Sequence, residues 1–141
     1  VRAFSHLLGD TGITFFAVPS LATKARRGFP KSLESLPVLM PTRNTTLRRS
    51  LDGYFEAAGV RPHIVAEFED SALLKVFGGA GEGCFHAPSV IAREIGRQFG
   101  VRQIAEAAGV SERFYALSVE RKIKHPAVLA ITEAARERLF A

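Results

Sequence analysis

Residues 64–95, IVAEFEDSALLKVFGGAGEGCFHAPSVIAREI, decide the fold. Ile64 to Phe68 is a β-rich run that stops at Glu69-Asp70-Ser71, where an acidic or hydroxyl side chain caps a helix. Ala72 to Phe77 reads as a short apolar helix closed by Gly78, Gly79, Gly81 and Gly83. Cys84 to Ala87 is a second apolar strand that meets Pro88, after which Val90, Ile91, Ile95 and Phe99 resume helical spacing. Strand, helix, strand, helix with short connections predicts a parallel sheet covered by helices, which binds ligands beyond the carboxyl ends of its strands. The glycines do not make a nucleotide site. A dinucleotide fingerprint follows a strand and opens a helix, whereas these glycines close a helix and open a strand, and no Gly-Lys-Ser or Gly-Lys-Thr follows.

Working outward, Ile13 to Val18 is an unbroken apolar strand, buried on both faces. Pro19-Ser20 starts a short helix through Arg26, Gly28-Phe29-Pro30 turns the chain, Ser32 to Ser35 forms one helical turn, and Pro37 to Met40 is another short strand. Thr42-Arg43-Asn44-Thr45 supplies caps for a helix whose stripe is Leu47, Leu51, Tyr54, Phe55 and Ala58, stopped by Gly59. Downstream, Val101 to Ile104 and Phe114 to Val119 read as two strands. His125-Pro126 opens a last helix with Val128, Ile131, Ala135 and Leu139 on one face.

The 141 residues suffice for one core or two small lobes, and their apolar content is that of a globular chain. No apolar run is long enough to cross a bilayer, and VRAFSHLLGD has no secretory pattern. The single cysteine, Cys84, fits a reducing cytoplasm and a place in the core. The chain opens at Val1 with Phe4, Leu7 and Leu8 close behind, as a fragment beginning inside a structured region does. The net charge of +5 is spread along the sequence without interleaved aromatics, so solvated helix faces account for it.

Residues 103–121, QIAEAAGVSERFYALSVER, match the spacing of a helix-turn-helix, which makes a stand-alone DNA-binding module the rival reading. Against it, Arg113 to Val119 alternates as a strand does and offers few side chains to read bases. His6, His63, His86 and His125 follow no zinc spacing. No Gly-x-Ser-x-Gly elbow or other catalytic constellation can be assembled, so an enzyme is not expected, nor is a cofactor. Two polar clusters carry a binding expectation. One is Pro41-Thr42-Arg43-Asn44-Thr45-Thr46, where free N–H groups at a helix start suit a carboxylate or other small polar ligand. The other is Glu67, Glu69, Asp70 and Ser71. Both fall at strand-to-helix junctions along one sheet edge.

The order of these motifs resembles the effector-binding (substrate-binding) domain of LysR-type transcriptional regulators over essentially the whole chain. NTTLRRSLDGYFEAAGVRP, EFEDSALLKVFG, HAPSVIAREI and ERFYALSVERKIKHPAV are similar to the branch that activates sodium/proton antiporter genes. The resemblance implies an α/β fold of the periplasmic-binding-protein type (type 2), with an effector between two lobes. Residues 19–110 would be a complete second lobe, and residues 1–18 with 111–141 a partial first lobe. Ala17, Val18, Phe114 and Tyr115 would lie near the hinges, and the family's winged helix-turn-helix would be absent. Carried over by position, Thr42, Asn44, Thr45, Thr46, Asp70 and Ser71 would contact the effector. In the antiporter branch the signal would be Na+ or Li+, hard cations for which Glu67, Glu69 and Asp70 are candidate ligands. The implied protein is a cytoplasmic, self-associating regulator that touches DNA only through the missing amino-terminal domain and has no membrane partner. A solute-binding protein of the same fold is the remaining alternative.

Overall fold

The computed structural model describes residues 3–118 and 126–140. The chain divides into two compact units, Gly12–Val110 and Val1–Thr11 with Ser111–Ala141. The elements are β1 (Phe4–Ala17), α1 (Pro19–Arg26), a 3-10 turn (Lys31–Glu34), β2 (Pro37–Pro41) and α2 (Thr46–Ala57). They continue with β3 (His63–Phe68), α3 (Ser71–Gly79), β4 (Phe85–Pro88), a 3-10 turn (Ser89–Ile91), α4 (Ala92–Phe99), β5 (Arg102–Ser118) and α5 (Pro126–Arg138).

In the larger unit β2 and β3 pair in parallel, and β4, β1 and β5 form a three-stranded sheet in that order. The two sheets are stitched where Cys84 accepts from Leu39 N–H and donates to the Pro37 carbonyl, both at 2.8 Å. β2, β3 and the start of β4 therefore run as the expected parallel unit, whereas β1 pairs antiparallel with β4, Ile13 opposite Pro88 and Phe16 opposite Phe85.

Alternation along these strands sends neighbouring residues to opposite faces, and both faces are covered. Phe15, Val38 and Met40 join Leu51 and Phe55 of α2, while Phe16, Leu39 and Phe85 join Leu74 of α3 and Ile95 of α4. Phe15 packs edge-on against Phe55 with ring centres 5.9 Å apart, and Phe16 stacks on Phe85 at 5.7 Å. Helix α3 reaches its strand because Gly78 has no side chain: a Cβ there would sit 2.1 Å from the Phe85 ring. The turn that closes α3 uses Gly81 at φ +86°, as expected of a residue just past a helix end.

The smaller unit is held by Asp10–Arg113 at 3.0 Å, a bond from Arg136 Nε to the Leu7 carbonyl, and the Phe114–Phe140 ring contact. Three expectations are corrected here. First, the amino-terminal strand starts at Phe4 rather than Ile13, because its first half alternates between half-buried and exposed residues and is broken up by Gly9, Asp10 and Gly12. Second, residues 102–118 form one strand rather than two. Gly109, at φ +81°, bends it without ending it, as glycines at bulges do. This strand also removes the helix-turn-helix over residues 103–118, where no recognition helix exists; the rest of that motif lies outside the described residues.

Third, α5 does not bury Ile131 and Leu139, which are exposed; Thr132 and the flanks of Ala134 and Ala135 face inward instead. Two strands and one helix enclose too little volume to hide a full apolar stripe. His125 and the Val128 side chain lie outside what is described. Ala58 of the α2 stripe is likewise exposed. No described helix is long and apolar enough to cross a membrane.

Replacing Gly78 by alanine drives a methyl group into the Phe85 ring and is expected to lower unfolding free energy by about 1–3 kcal/mol. Urea denaturation followed by far-UV circular dichroism measures it, and an unchanged midpoint would refute the packing role.

Candidate functional site

The register of β2 on β3 brings the two polar junctions together. Pro41 stands opposite Phe68, so the strands end level, and Thr42 N–H donates across to the Phe68 carbonyl at 3.2 Å. The Thr42–Thr45 turn is closed from within: Thr42 Oγ1 donates to Asn44 Oδ1 at 3.0 Å, and Thr45 Oγ1 donates to the Thr42 carbonyl at 3.0 Å. Thr45 is the N-cap of α2, its hydroxyl accepting from Arg48 N–H at 3.1 Å. Thr46 opens the helix and accepts from Arg49 Nη2 at 3.3 Å. On the next strand Asp70 caps α3, one carboxylate oxygen accepting from the N–H groups of Ala72 and Leu73 at 2.8 and 3.4 Å, with Ser71 as the first helical residue.

Arg48 organises this edge, although the apolar periodicity of α2 does not mark it. It lies on the buried face of α2 between Leu47 and Leu51 and is only 4 % exposed. Its guanidinium donates to the Pro41 carbonyl at 2.8 Å, to Glu67 Oε2 at 2.5 Å and to Asp52 Oδ1 at 2.9 Å. Burial alone would lower its pKa, but the bonds to Glu67 and Asp52 outweigh that and raise it. The hydrogen bond from Arg48 holds the Glu67 carboxyl below the ordinary carboxylate range, with Arg43 adding to the effect at 3.6 Å. A charged residue with a capping threonine three positions ahead and an aspartate four positions behind was the available signal.

The same edge receives β4 and β1. Pro88 lies opposite Ile13, and Thr14, nearly fully buried, shares a 2.7 Å hydrogen bond between hydroxyls with Ser89. His86, one strand in, is buried with Nδ1 unpartnered; burial, helped by Lys75, pushes its pKa down to about 4. The Cys84 thiol is pushed up to about 11 by burial and is inert at neutral pH. Neither residue was expected to be functional.

Placement of the remaining candidates is direct. Ala17 is buried at the end of β1 and Val18 precedes α1, both in the larger unit; Phe114 and Tyr115 lie on β5 in the smaller one. The chain passes between the units at Thr11–Gly12 and Val110–Ser111. Glu67 is occupied by two arginines, Glu69 and Asp70 follow it on the turn, and no group of three His, Cys, Asp or Glu side chains among the described residues is arranged to hold a metal ion. Two grooves of about 500 and 560 Å³ lie elsewhere, neither lined by Thr42–Thr46 or Asp70. The candidate edge, hereafter the ledge, is the surface at the level ends of β2 and β3 that carries Thr42–Thr46 and Asp70.

With fold and ledge defined, the sequence pattern of the LysR substrate binding domain matches residues 4–140. The chain belongs to that family. Its α/β architecture is that of the periplasmic-binding-protein-like effector domain of LysR-type transcriptional regulators, here a partial one. The chain is 34% identical over 137 residues to the transcriptional activator protein NhaR of Escherichia coli K12, and equally to that of Shigella flexneri. The alignment covers 97% of this chain and 44% of either relative, so the chain spans less than half their length.

Among solved structures, the effector domain of AmpR from Pseudomonas aeruginosa superposes with a TM-score of 0.66 at 22% identity, over 96% of this chain and 63% of that one. The effector binding domain of QuiR in complex with shikimate gives 0.58 at 13% identity, over 99% and 68%. At these identities the structures establish the fold alone.

Replacing Arg48 by alanine leaves Glu67 with only the exposed Arg43 and is expected to cost about 2 kcal/mol, between the values for exposed and fully buried pairs. Glu67→Gln is also expected to destabilise at neutral pH. Because the folded pKa of Glu67 lies below its unfolded value, this difference should fade as the pH falls from the ordinary carboxylate range through the folded value. Equal destabilisation at pH 7 and pH 3 would contradict the assignment.

His86 has the opposite charge type, and the unfolded chain takes up its proton first. Stability should therefore fall as the pH drops from about 6.5 to about 4 and then level with respect to this residue. His86→Gln should flatten that part of the stability profile measured by urea melts.

Proposed function

We propose that this chain is the effector-sensing part of a cytoplasmic, non-enzymatic LysR-type activator, in which a small ligand on the Thr42–Thr46 and Asp70–Ser71 ledge biases a DNA-bound oligomer. DNA contact in the whole protein belongs to an amino-terminal domain outside this sequence, and self-association runs through domains of this kind. The observation that carries the reading is the level ending of β2 and β3, which sets two capped helix starts side by side at the carboxyl edge of a parallel sheet.

The chemistry of the ledge favours a polar ligand with acceptor atoms. Arg48 and Arg43 neutralise Glu67, and Thr45 is spent on its cap. The N–H groups of Thr46 and Leu47, ahead of the first intrahelical bonds, the Asn44 amide and the exposed Arg43 remain as donors. A carboxylate or hydroxy acid, the chemical type of the shikimate in the QuiR structure, fits that set.

A second reading is favoured by the 34% identity to NhaR: the protein activates sodium/proton antiporter genes and senses Na+ or Li+. Its ligands would be oxygens of the same ledge, namely Thr42, Asn44, the second Asp70 oxygen and Ser71, since hard monovalent cations take hydroxyl, amide and carboxylate oxygen. Glu67 and Glu69 would then act by charge.

The two readings separate by experiment. Titration calorimetry of the domain with Na+, Li+ and K+ and with a panel of small carboxylates, alongside crystals soaked in thallium or rubidium, identifies the ligand class. Asn44→Ala is expected to weaken the true effector by about tenfold, one good hydrogen bond, with unchanged thermal stability. Occupied heavy-cation density on these oxygens supports the cation. Saturable carboxylate binding lost in Asn44→Ala supports the organic effector. Absence of both, with any ligand bound elsewhere, overturns the ledge.

A further inference from the structure

A second feature of the larger unit lies away from the ledge. A groove of about 560 Å³ lies where α4 returns the chain to the start of β5, lined by Arg26, Arg93, Arg97 and Arg102 together with Gly96 and Gln103. That volume lies within the range of small-molecule sites. No carboxylate lines it. Four arginines thus line one groove with no acid among its lining residues, in a chain that elsewhere pairs Arg48, Arg113 and Lys31 with acids.

The arrangement is not explained by stability. Arg93 and Arg97 stand one turn apart on α4, where like charges destabilise a helix. Arg93, Arg97 and Arg102 make no hydrogen bond or ion pair with any described residue. Arg26 alone is fixed: its Nε and Nη2 donate to the Gln103 carbonyl at 2.9 and 2.5 Å, which leaves its other nitrogen for a ligand and locks one wall of the groove to the first turn of β5. Gly96 keeps the helix close to that strand, since a Cβ there would lie 3.3 Å from the Val101 carbonyl.

We propose that this groove binds a small polyanion bearing adjacent phosphate groups, gripped by the guanidinium forks of Arg93, Arg97 and Arg102 against the fixed Arg26. Guanidinium offers planar, paired N–H donors that match phosphate oxygens two at a time. Several such forks around a small volume suit a diphosphate better than a single carboxylate. The site is distinct in residues from the effector ledge, so its ligand would act as a co-regulator, and its test is independent of which effector the ledge takes.

The test is titration of the domain with inorganic pyrophosphate, adenosine triphosphate, inorganic phosphate and a short DNA duplex at two salt concentrations, repeated for Arg93→Gln/Arg97→Gln and for Arg43→Gln. The three substituted arginines are exposed, so all variants should fold as the parent does by circular dichroism. Expected are saturable pyrophosphate and triphosphate binding stronger than phosphate, a loss of at least about tenfold in the double variant, and no change in Arg43→Gln. Three outcomes overturn the proposal: no saturable diphosphate binding, binding lost through Arg43 instead, or duplex binding that depends on Arg93 and Arg97 while pyrophosphate does not bind. The last would mark a nucleic-acid backbone contact.

Discussion

The buried guanidinium of Arg48 is the constraint on which the ledge depends. The carbonyl that ends β2 and the carboxylate of Glu67 near the end of β3 each present an acceptor at one place, and one fork of N–H donors serves both together with Asp52. A lysine has a single charged nitrogen and no planar fork, and could not bind Asp52 and the two strand ends in fixed directions at once. Because the charge is out of water, its partners cannot drift, and α2 is held by its first turns while Leu51 and Phe55 anchor the rest. Thr45, capping Arg48 N–H, completes the lock.

That lock sets the electrostatics available to a ligand. Arg43 and Arg48 balance Glu67 and Asp52, so a ligand at the proposed ledge would be held by directed donors more than by bulk charge. Recognition there is a matter of geometry: N–H groups at a helix start and an amide whose oxygen is already engaged by Thr42. A strongly charged anion would gain more from the proposed arginine groove, whose lining residues include no acid. The proposed ledge, at the ends of β2 and β3, and the proposed arginine groove, beside β5, thus differ in charge and belong to different sheets.

Much of this was legible in the sequence because it follows from periodicity and caps. The strands at Ile64–Phe68 and Pro37–Met40 and the capping roles of Thr45 and Asp70 come from local chemistry, which needs no partner to be read. What was hidden is non-local. Arg48 reads as a surface charge until the strand ends that receive it are placed. The first half of β1 is polar because one side of it is open, and α5 carries more apolar residues than its unit can cover. Gly109 reads as a break because a glycine that bends a strand and one that ends it look alike in sequence.

The glycine cluster after α3 shows why a motif must be judged by what its neighbours do. Of its members, Gly81 is needed for backbone conformation, at φ +86°, whereas Gly78 is needed for space beneath Phe85. A phosphate loop would need neither property: it requires backbone N–H groups converging on an open site at a helix start, and here the segment ends a helix and its first glycine is buried against an aromatic ring. The same residue type therefore serves packing and turning in a stretch of six residues, and neither use leaves room for a nucleotide. In the groove proposed for a diphosphate, the donors would be side chains of α1, α4 and β5 rather than backbone groups at a helix start.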